Sequence, residues 1–270
     1  MDVNLVTQGL SLFDAHVMKL GEEANGADFD ESYYTKHRLR FERTLQMVPP
    51  AARHSARALE LGATDFFQVA LHHLYGYGDV VGSQFSTHIE QKIYRKTITV
   101  GAYAATNLTV SVNLENDLLP FPAKHFDLVM CCEVIEHMDI DPMFMLCELN
   151  RVCAAGATLV LTTPNCCSAR NFWKIALGHR PHFFMQYEKS RSPYRHNVEW
   201  DVHAVAQLAR AAGFEPEYLE THDVFEAPCE EGLALLQKND LPLEHRGDCV
   251  TLRARKVSGV CDRWPEGIYV

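Results

Sequence analysis

Hydrophobic and polar positions change period several times along the chain, and each change marks an element. Residues 5–20 carry apolar side chains at helical spacing, and residues 21–30 read as a glycine-containing acidic loop. A second helix is predicted over 31–48, carrying Tyr33, Tyr34, His37, Leu39, Phe41 and Leu45, and Pro49-Pro50 stops it. Short apolar runs bounded by turn residues predict seven strands, at 58–62, 79–82, 108–112, 126–130, 157–163, 214–220 and 249–256. Helices are predicted over 65–75, 142–153 and 202–212, the last with Asp201 as N-cap and Gly213 as its stop. Residues 85–107 fit no single pattern: Lys92, Arg95 and Lys96 fit a helical piece, and 97–100 is rich in β-formers. Residues 166–200 form a long connection rich in aromatic and basic side chains, and such a length inside a compact domain is usually functional or disordered. Residues 223–247 read as an insertion of weak pattern.

Strands that read as near-continuous apolar runs and alternate with helices build a mostly parallel sheet covered on both faces. The clearest unit is 124–165, a strand, a charged turn, a helix, a glycine turn and a second strand. The last two strands have no clear helix between them, which predicts an antiparallel pair at one edge. The expected architecture is therefore an α/β three-layer sandwich with a seven-stranded sheet. Residues 1–50 are expected to form a helical cap on the sheet domain, 51–270.

Composition narrows the function. With 270 residues and 47% hydrophobic content, one large domain with additions is the natural size class. A formal net charge of -10 makes nucleic acid a poor partner. No apolar run approaches the ~20 residues of a membrane span, and the N-terminus lacks a basic, then apolar, leader pattern. No membrane partner and a cytoplasmic location are expected; oligomeric state is left open. The nine cysteines include vicinal pairs at Cys131-Cys132 and Cys166-Cys167 but no C-x-x-C, so reduced, mostly buried thiols are expected.

Several chemistries are excluded by motif. There is no G-x-G-x-x-G, no P-loop and no G-x-S-x-G. Glu133, Glu136 and His137 lack the second histidine of a zinc helix motif, and His72-His73 face different ways on a helix, so no metal is expected.

Five pieces in register carry a resemblance: Leu119-Pro120-Phe121-Pro122, Phe126-Asp127-Leu128-Val129, Glu133-Val134-Ile135-Glu136-His137, Leu149-Asn150-Arg151-Val152 and Leu161-Thr162-Thr163-Pro164-Asn165. Together, over about 58–220, the chain resembles the class I S-adenosylmethionine-dependent methyltransferases of the type-11/type-12 group. Arg195-His196-Asn197-Val198-Glu199-Trp200 is similar to a segment of a subgroup associated with glycan and natural-product modification. The resemblance implies a Rossmann-like fold, S-adenosyl-L-methionine as cofactor, and methyl transfer to a small-molecule acceptor, most simply a hydroxyl of a sugar-derived or secondary-metabolite compound. The alternative is a methyltransferase-fold scaffold protein without catalysis, because the family's glycine loop is thin here: Gly62 is followed by Ala63-Thr64-Asp65. A cofactor without phosphate has no pyrophosphate to approach closely, so Gly62 and Ala63 can suffice.

The resemblance also assigns residues. Glu60, Gly62 and Ala63 would stand by the methionyl part, although Glu60 could equally be structural. Ser83 and Gln84 occupy the ribose position, where an acid is usual; a neutral amide bonds a hydroxyl without charge assistance. Asn113, Leu114 and Glu115 would read and cover the adenine, and Cys132 and Glu133 would line the site beside the sulfonium. Tyr34, with Tyr33, would close over the cofactor carboxylate or pack the cap. His137 would either cap a helix or act as general base, as would His196 in the acceptor segment. Tyr194, Arg195, His196 and Glu199 would bind the acceptor, or else form a solvated loop tied by Arg–Glu pairing.

Overall fold

The computed structural model describes residues 3–24, 31–85, 92–181 and 195–269. Its elements run α1 (Val3–Ala24), α2 (Glu31–Met47), β1 (Arg57–Leu61), α3 (Asp65–His73), β2 (Asp79–Phe85), β3 (Lys92–Val100), β4 (Tyr103–Val112), β5 (Phe126–Cys132), α4 (Pro142–Val152), β6 (Cys153–Pro164), α5 (Ala169–Ala176), α6 (Val202–Ala211), β7 (Phe214–His222), α7 (Glu230–Lys238) and β8 (Cys249–Lys256).

The strands form one eight-stranded sheet in the order β3-β4-β2-β1-β5-β6-β8-β7. The five central strands are mutually parallel. β8 runs antiparallel to both β6 and β7, the edge pairing expected from the sequence, although the ground for expecting it fails: α7 does lie between β7 and β8. The sheet has one strand more than expected. Residues 92–100 are β3 rather than helical: they pair antiparallel with β4 from Lys92↔Ser111 to Val100↔Tyr103. The turn between them uses Gly101 at φ 56, a conformation that hairpin turns demand. Alternating Ile98 and Val100, both buried, give this strand its inward face, and Lys92, Arg95 and Lys96 stand on a strand rather than a helical piece. Both edges of the sheet are thus antiparallel. The loops 166–200 and 223–247 also hold helices, α5 and α7, whose Phe172, Trp173, Leu233 and Leu236 pack together in a small satellite core.

Period-two alternation splits the core between two faces. Val129 and Cys131 of β5, with Leu59 and Leu61 of β1, face α4 and α6. Leu128 and Met130, with Ala58, face α1, α2 and α3 through Phe13, Phe41 and Phe66. Burying one such Leu or Phe fully contributes about 1.5–3 kcal/mol, so the two layers dominate the stability of the sheet. Local signals set the ends. Thr64 caps α3 by accepting from the Phe67 amide at 3.2 Å. Asp141 precedes Pro142 and accepts from Phe144, and Asp201 accepts from His203 and Ala204. All nine cysteines are free; Cys131, Cys153, Cys229 and Cys249 are buried, while Cys167 and Cys261 are exposed.

Candidate active site

The carboxyl ends of β1, β2, β4 and β5 lie side by side, because these strands are parallel neighbours. Ligands in open α/β sheets bind beyond these ends. After β1 the chain turns at Gly62 with φ 61; a Cβ there would come within 3.1 Å of Val134 Cγ2. The loop after β1 therefore touches the loop after β5. The Ala63 amide donates to the Ser83 carbonyl at 2.8 Å, which ties the same loop to the end of β2.

Glu60 is buried beside this turn. Its Oε1 accepts from the Thr64 amide at 2.9 Å and the Thr64 hydroxyl at 3.0 Å. Its Oε2 has no hydrogen-bond partner among the described residues. Burial pushes the carboxyl up to about 8, against the downward pull of the two Thr64 bonds. Ser83 is buried with its hydroxyl oxygen similarly unpartnered. Buried polar atoms left this way suit a polar ligand.

Other expected cofactor positions are engaged by the protein itself. Gln84 Oε1 accepts from the Tyr94 hydroxyl at 2.9 Å, so β3 holds the amide that the ribose was expected to meet. Asn113 Oδ1 accepts the Glu115 amide at 3.1 Å, forming a local turn. Leu114 packs against the α4–α6 side of the core. Glu115 Oε1 accepts amides from Asp139 at 2.6 Å and Ile140 at 2.5 Å, which holds the segment before α4. Tyr34 packs with Phe13 and His16 at ring distances of 6.3 Å in the α1–α2 pair. The side chain of Tyr33 and the whole of Tyr194 lie outside the described residues.

The end of β5 is strained and polar. Glu133 adopts φ 56, a left-handed conformation that non-glycine residues rarely take. Its amide donates to the Thr162 carbonyl at 2.9 Å, and its Oε1 accepts from the Thr162 hydroxyl at 2.8 Å. Cys132 is a neutral thiol, pushed up to about 12 by burial despite the opposing charge of Arg40.

The spacing from Glu133 to His137 is not an α-helical turn. Ile135–His137 is a single 3-10 turn, and the helix proper begins at Pro142. Glu136, named in the sequence only within a motif and given no site role, is fully buried there. Thr163 donates its hydroxyl to Glu136 Oε2 at 3.0 Å, while Oε1 has no hydrogen-bond partner among the described residues and lies 3.9 Å from His137 Nε2. Burial and then the charge of Glu133 push the Glu136 carboxyl well above the carboxylate range. Burial also lowers His137 below the ordinary imidazole value, so its neutral form prevails.

The segment 195–200 docks on this turn. Asn197 and Val198 donate backbone amides to the Glu136 carbonyl at 2.7 and 3.3 Å, and Asn197 Nδ2 donates to the His137 carbonyl at 2.8 Å. His137 Nδ1 lies 3.1 Å from the Arg195 carbonyl. A carbonyl only accepts, so Nδ1 carries the proton and Nε2 keeps its lone pair. The rings of His137 and His196 meet edge to face at 4.9 Å. His196 Nδ1 stands 3.5 Å from the Glu199 carboxylate. One ligand atom each of Glu136, His137 and His196 lies within 4.8 Å of the others, a set able to hold a proton or a cation. Thr163, Asn197 and the buried Arg40 were also missed. Thr163 and Asn197 lay inside quoted motifs, whereas no local pattern marks Arg40, a base on an otherwise cap-like helix.

Comparison with known proteins adds to this geometry. The methyltransferase domain family matches residues 34–219. A relative from Arabidopsis thaliana, named "Probable methyltransferase PMT5", is 32% identical over 129 residues, covering 43% of this chain. The chain spans 21% of that relative's length. Among solved structures, a SAM-dependent methyltransferase from Archaeoglobus fulgidus superposes with a TM-score of 0.51 at 16% identity, covering 82% of this chain and 93% of its own. The complex of the Haloferax volcanii Trm112 methyltransferase activator with a protein assigned to the methyltransferases gives 0.53 at 13% identity, covering 85% and 93%. At these identities the two structures speak for the fold.

Proposed function

Because the chain belongs to the methyltransferase domain family, we propose that it takes a methyl group from S-adenosylmethionine and delivers it to a hydroxyl of a small sugar-derived or secondary-metabolite acceptor. The observation that carries this reading is the docking of 195–200 on Glu136-His137, which brings two imidazoles and a carboxyl within 4.8 Å of one another, just after Val134, the residue that Gly62 packs against. The sulfonium already makes the methyl carbon electrophilic. The protein has to hold the nucleophile, methyl carbon and sulfur in line.

Glu60, Gly62, Ala63 and Ser83 are proposed to hold the methionyl and ribose parts, with the unpartnered oxygens of Glu60 and Ser83 as the polar contacts. Glu133 and Cys132 would line the transfer path. His137 Nε2, with its lone pair available, is proposed to receive the hydroxyl proton as oxygen attacks carbon and the carbon–sulfur bond breaks. His196, Arg195 and Glu199 are proposed to contact the acceptor. A formal charge of -10 disfavours a polyanionic acceptor.

Two measurements in sequence test the proposal. Calorimetry with S-adenosylhomocysteine should show binding; none at millimolar concentration would leave the scaffold reading. A panel of hydroxylated sugars and phenolic or polyketide-like compounds should then yield one class that gains a methyl by mass while S-adenosylhomocysteine accumulates. Methylation confined to amines or nucleic acid would overturn the acceptor class.

A further inference from the structure

Glu136, His137 and His196 offer two imidazole nitrogens and one carboxylate oxygen, mutually within 4.8 Å. That donor set is typical of divalent transition-metal sites that keep open positions. Two of the donors are also held from behind by hydrogen bonds, as metal ligands usually are, and the third has a carboxylate near it. Thr163 holds Glu136 Oε2 at 3.0 Å, the Arg195 carbonyl orients His137 through Nδ1 at 3.1 Å, and Glu199 stands 3.5 Å from His196 Nδ1. The remaining Glu136 oxygen is buried, without a hydrogen-bond partner among the described residues, and 3.9 Å from His137 Nε2. A buried carboxyl oxygen left without a partner is costly unless something charged or donating meets it.

We propose that Glu136, His137 and His196 bind a divalent cation whose open positions take the acceptor's oxygen. Bonds of about 2.0–2.2 Å place neighbouring ligands about 3 Å apart, so atoms up to 4.8 Å apart must close by as much as about 1.8 Å, within reach of side-chain rotation. Imidazole donors favour manganese, iron, cobalt, nickel or zinc over calcium. The inference rests on the hydroxyl-acceptor reading only for its use, not for the site. In that use the cation lowers the pKa of the bound hydroxyl. The hydroxyl proton leaves to solvent, the oxygen–carbon bond forms, the carbon–sulfur bond breaks, and S-adenosylhomocysteine departs with its electron pair. His137, as ligand, then takes no proton itself. The ion would also bind the end of the 166–200 connection, through His196, to the exit of β5.

The test uses tag-free full-length protein, treated with a chelator and dialysed, then titrated with cobalt(II) chloride. Visible ligand-field absorption and calorimetry should report one ion per chain. His196→Gln, on the half-buried docking segment, should weaken cobalt binding by at least ~100-fold while its melting curve stays cooperative; Glu136→Gln should do the same. Equal cobalt affinity in the wild type and both variants, or no specific absorption in the wild type, would overturn the site. S-adenosylhomocysteine binding to the chelated protein is measured in parallel. If it persists without cobalt binding, only the cation inference fails; if cobalt binds but the nucleoside does not, only the methyl-transfer reading fails.

Discussion

A Cβ on Gly62 would stand 3.1 Å from Cγ2 of Val134, so the turn after the first strand and the turn leading to Glu136-His137 are packed against each other. The same glycine has φ 61. Gly62→Ala combines backbone strain with crowding and should cost about 1–3 kcal/mol. The expected result is a melting temperature lower by several degrees and weaker binding of S-adenosylhomocysteine, read by calorimetry. An unchanged affinity would separate this turn from the cofactor.

Glu60 makes stability depend on pH. Its folded carboxyl titrates at about 8, above the ordinary 4.5. Between these values the folded chain holds one proton more than the unfolded chain, so stability falls as pH rises through that window. Glu60→Gln keeps an acceptor for Thr64 and should remove one proton's worth of this slope, about 1.4 kcal/mol per pH unit. Urea midpoints from about pH 5 to about pH 8 check it; parallel curves for the two proteins would contradict the assignment.

Glu115 is expected to matter more for folding than for cofactor binding, because its Oε1 holds the amides of Asp139 and Ile140. Glu115→Ala should destabilise by roughly 1.5–3 kcal/mol, the scale of amide bonds to a charged acceptor. Thermal denaturation would show the loss. A stable variant with weak nucleoside binding would return Glu115 to the adenine.

His137→Ala should lower turnover by ~100-fold or more, whether His137 takes the proton or holds a cation. Once an acceptor is known, steady-state rates decide; an unchanged rate removes His137 from the chemistry.

Asn197→Ala deletes the bond from Nδ2 to the His137 carbonyl, 2.8 Å long, and leaves the chemistry-bearing groups in place. It should raise the acceptor's KM several-fold and leave S-adenosylhomocysteine affinity unchanged. A shift in nucleoside affinity alone would mean that 195–200 serves the cofactor.

The sequence by itself determined most elements and the family resemblance, because apolar period, caps and breakers act within a few residues. Asp201 capping α6 and the run that became β5 were legible for that reason, whereas the antiparallel pairing of β7 with β8 was expected on a helix-free connection that in fact holds α7. Residues 92–100 were not legible, since Lys92, Arg95 and Lys96 become a strand only through pairing with β4. Tertiary structure alone decided which side chains meet. Tyr94 holds Gln84 because β3 folds back beside β2's neighbour, and Glu115 reaches amides on another segment. His196 joins Glu136 and His137 only when 195–200 docks on the turn after β5. Such meetings join residues tens of positions apart, and no local period records them.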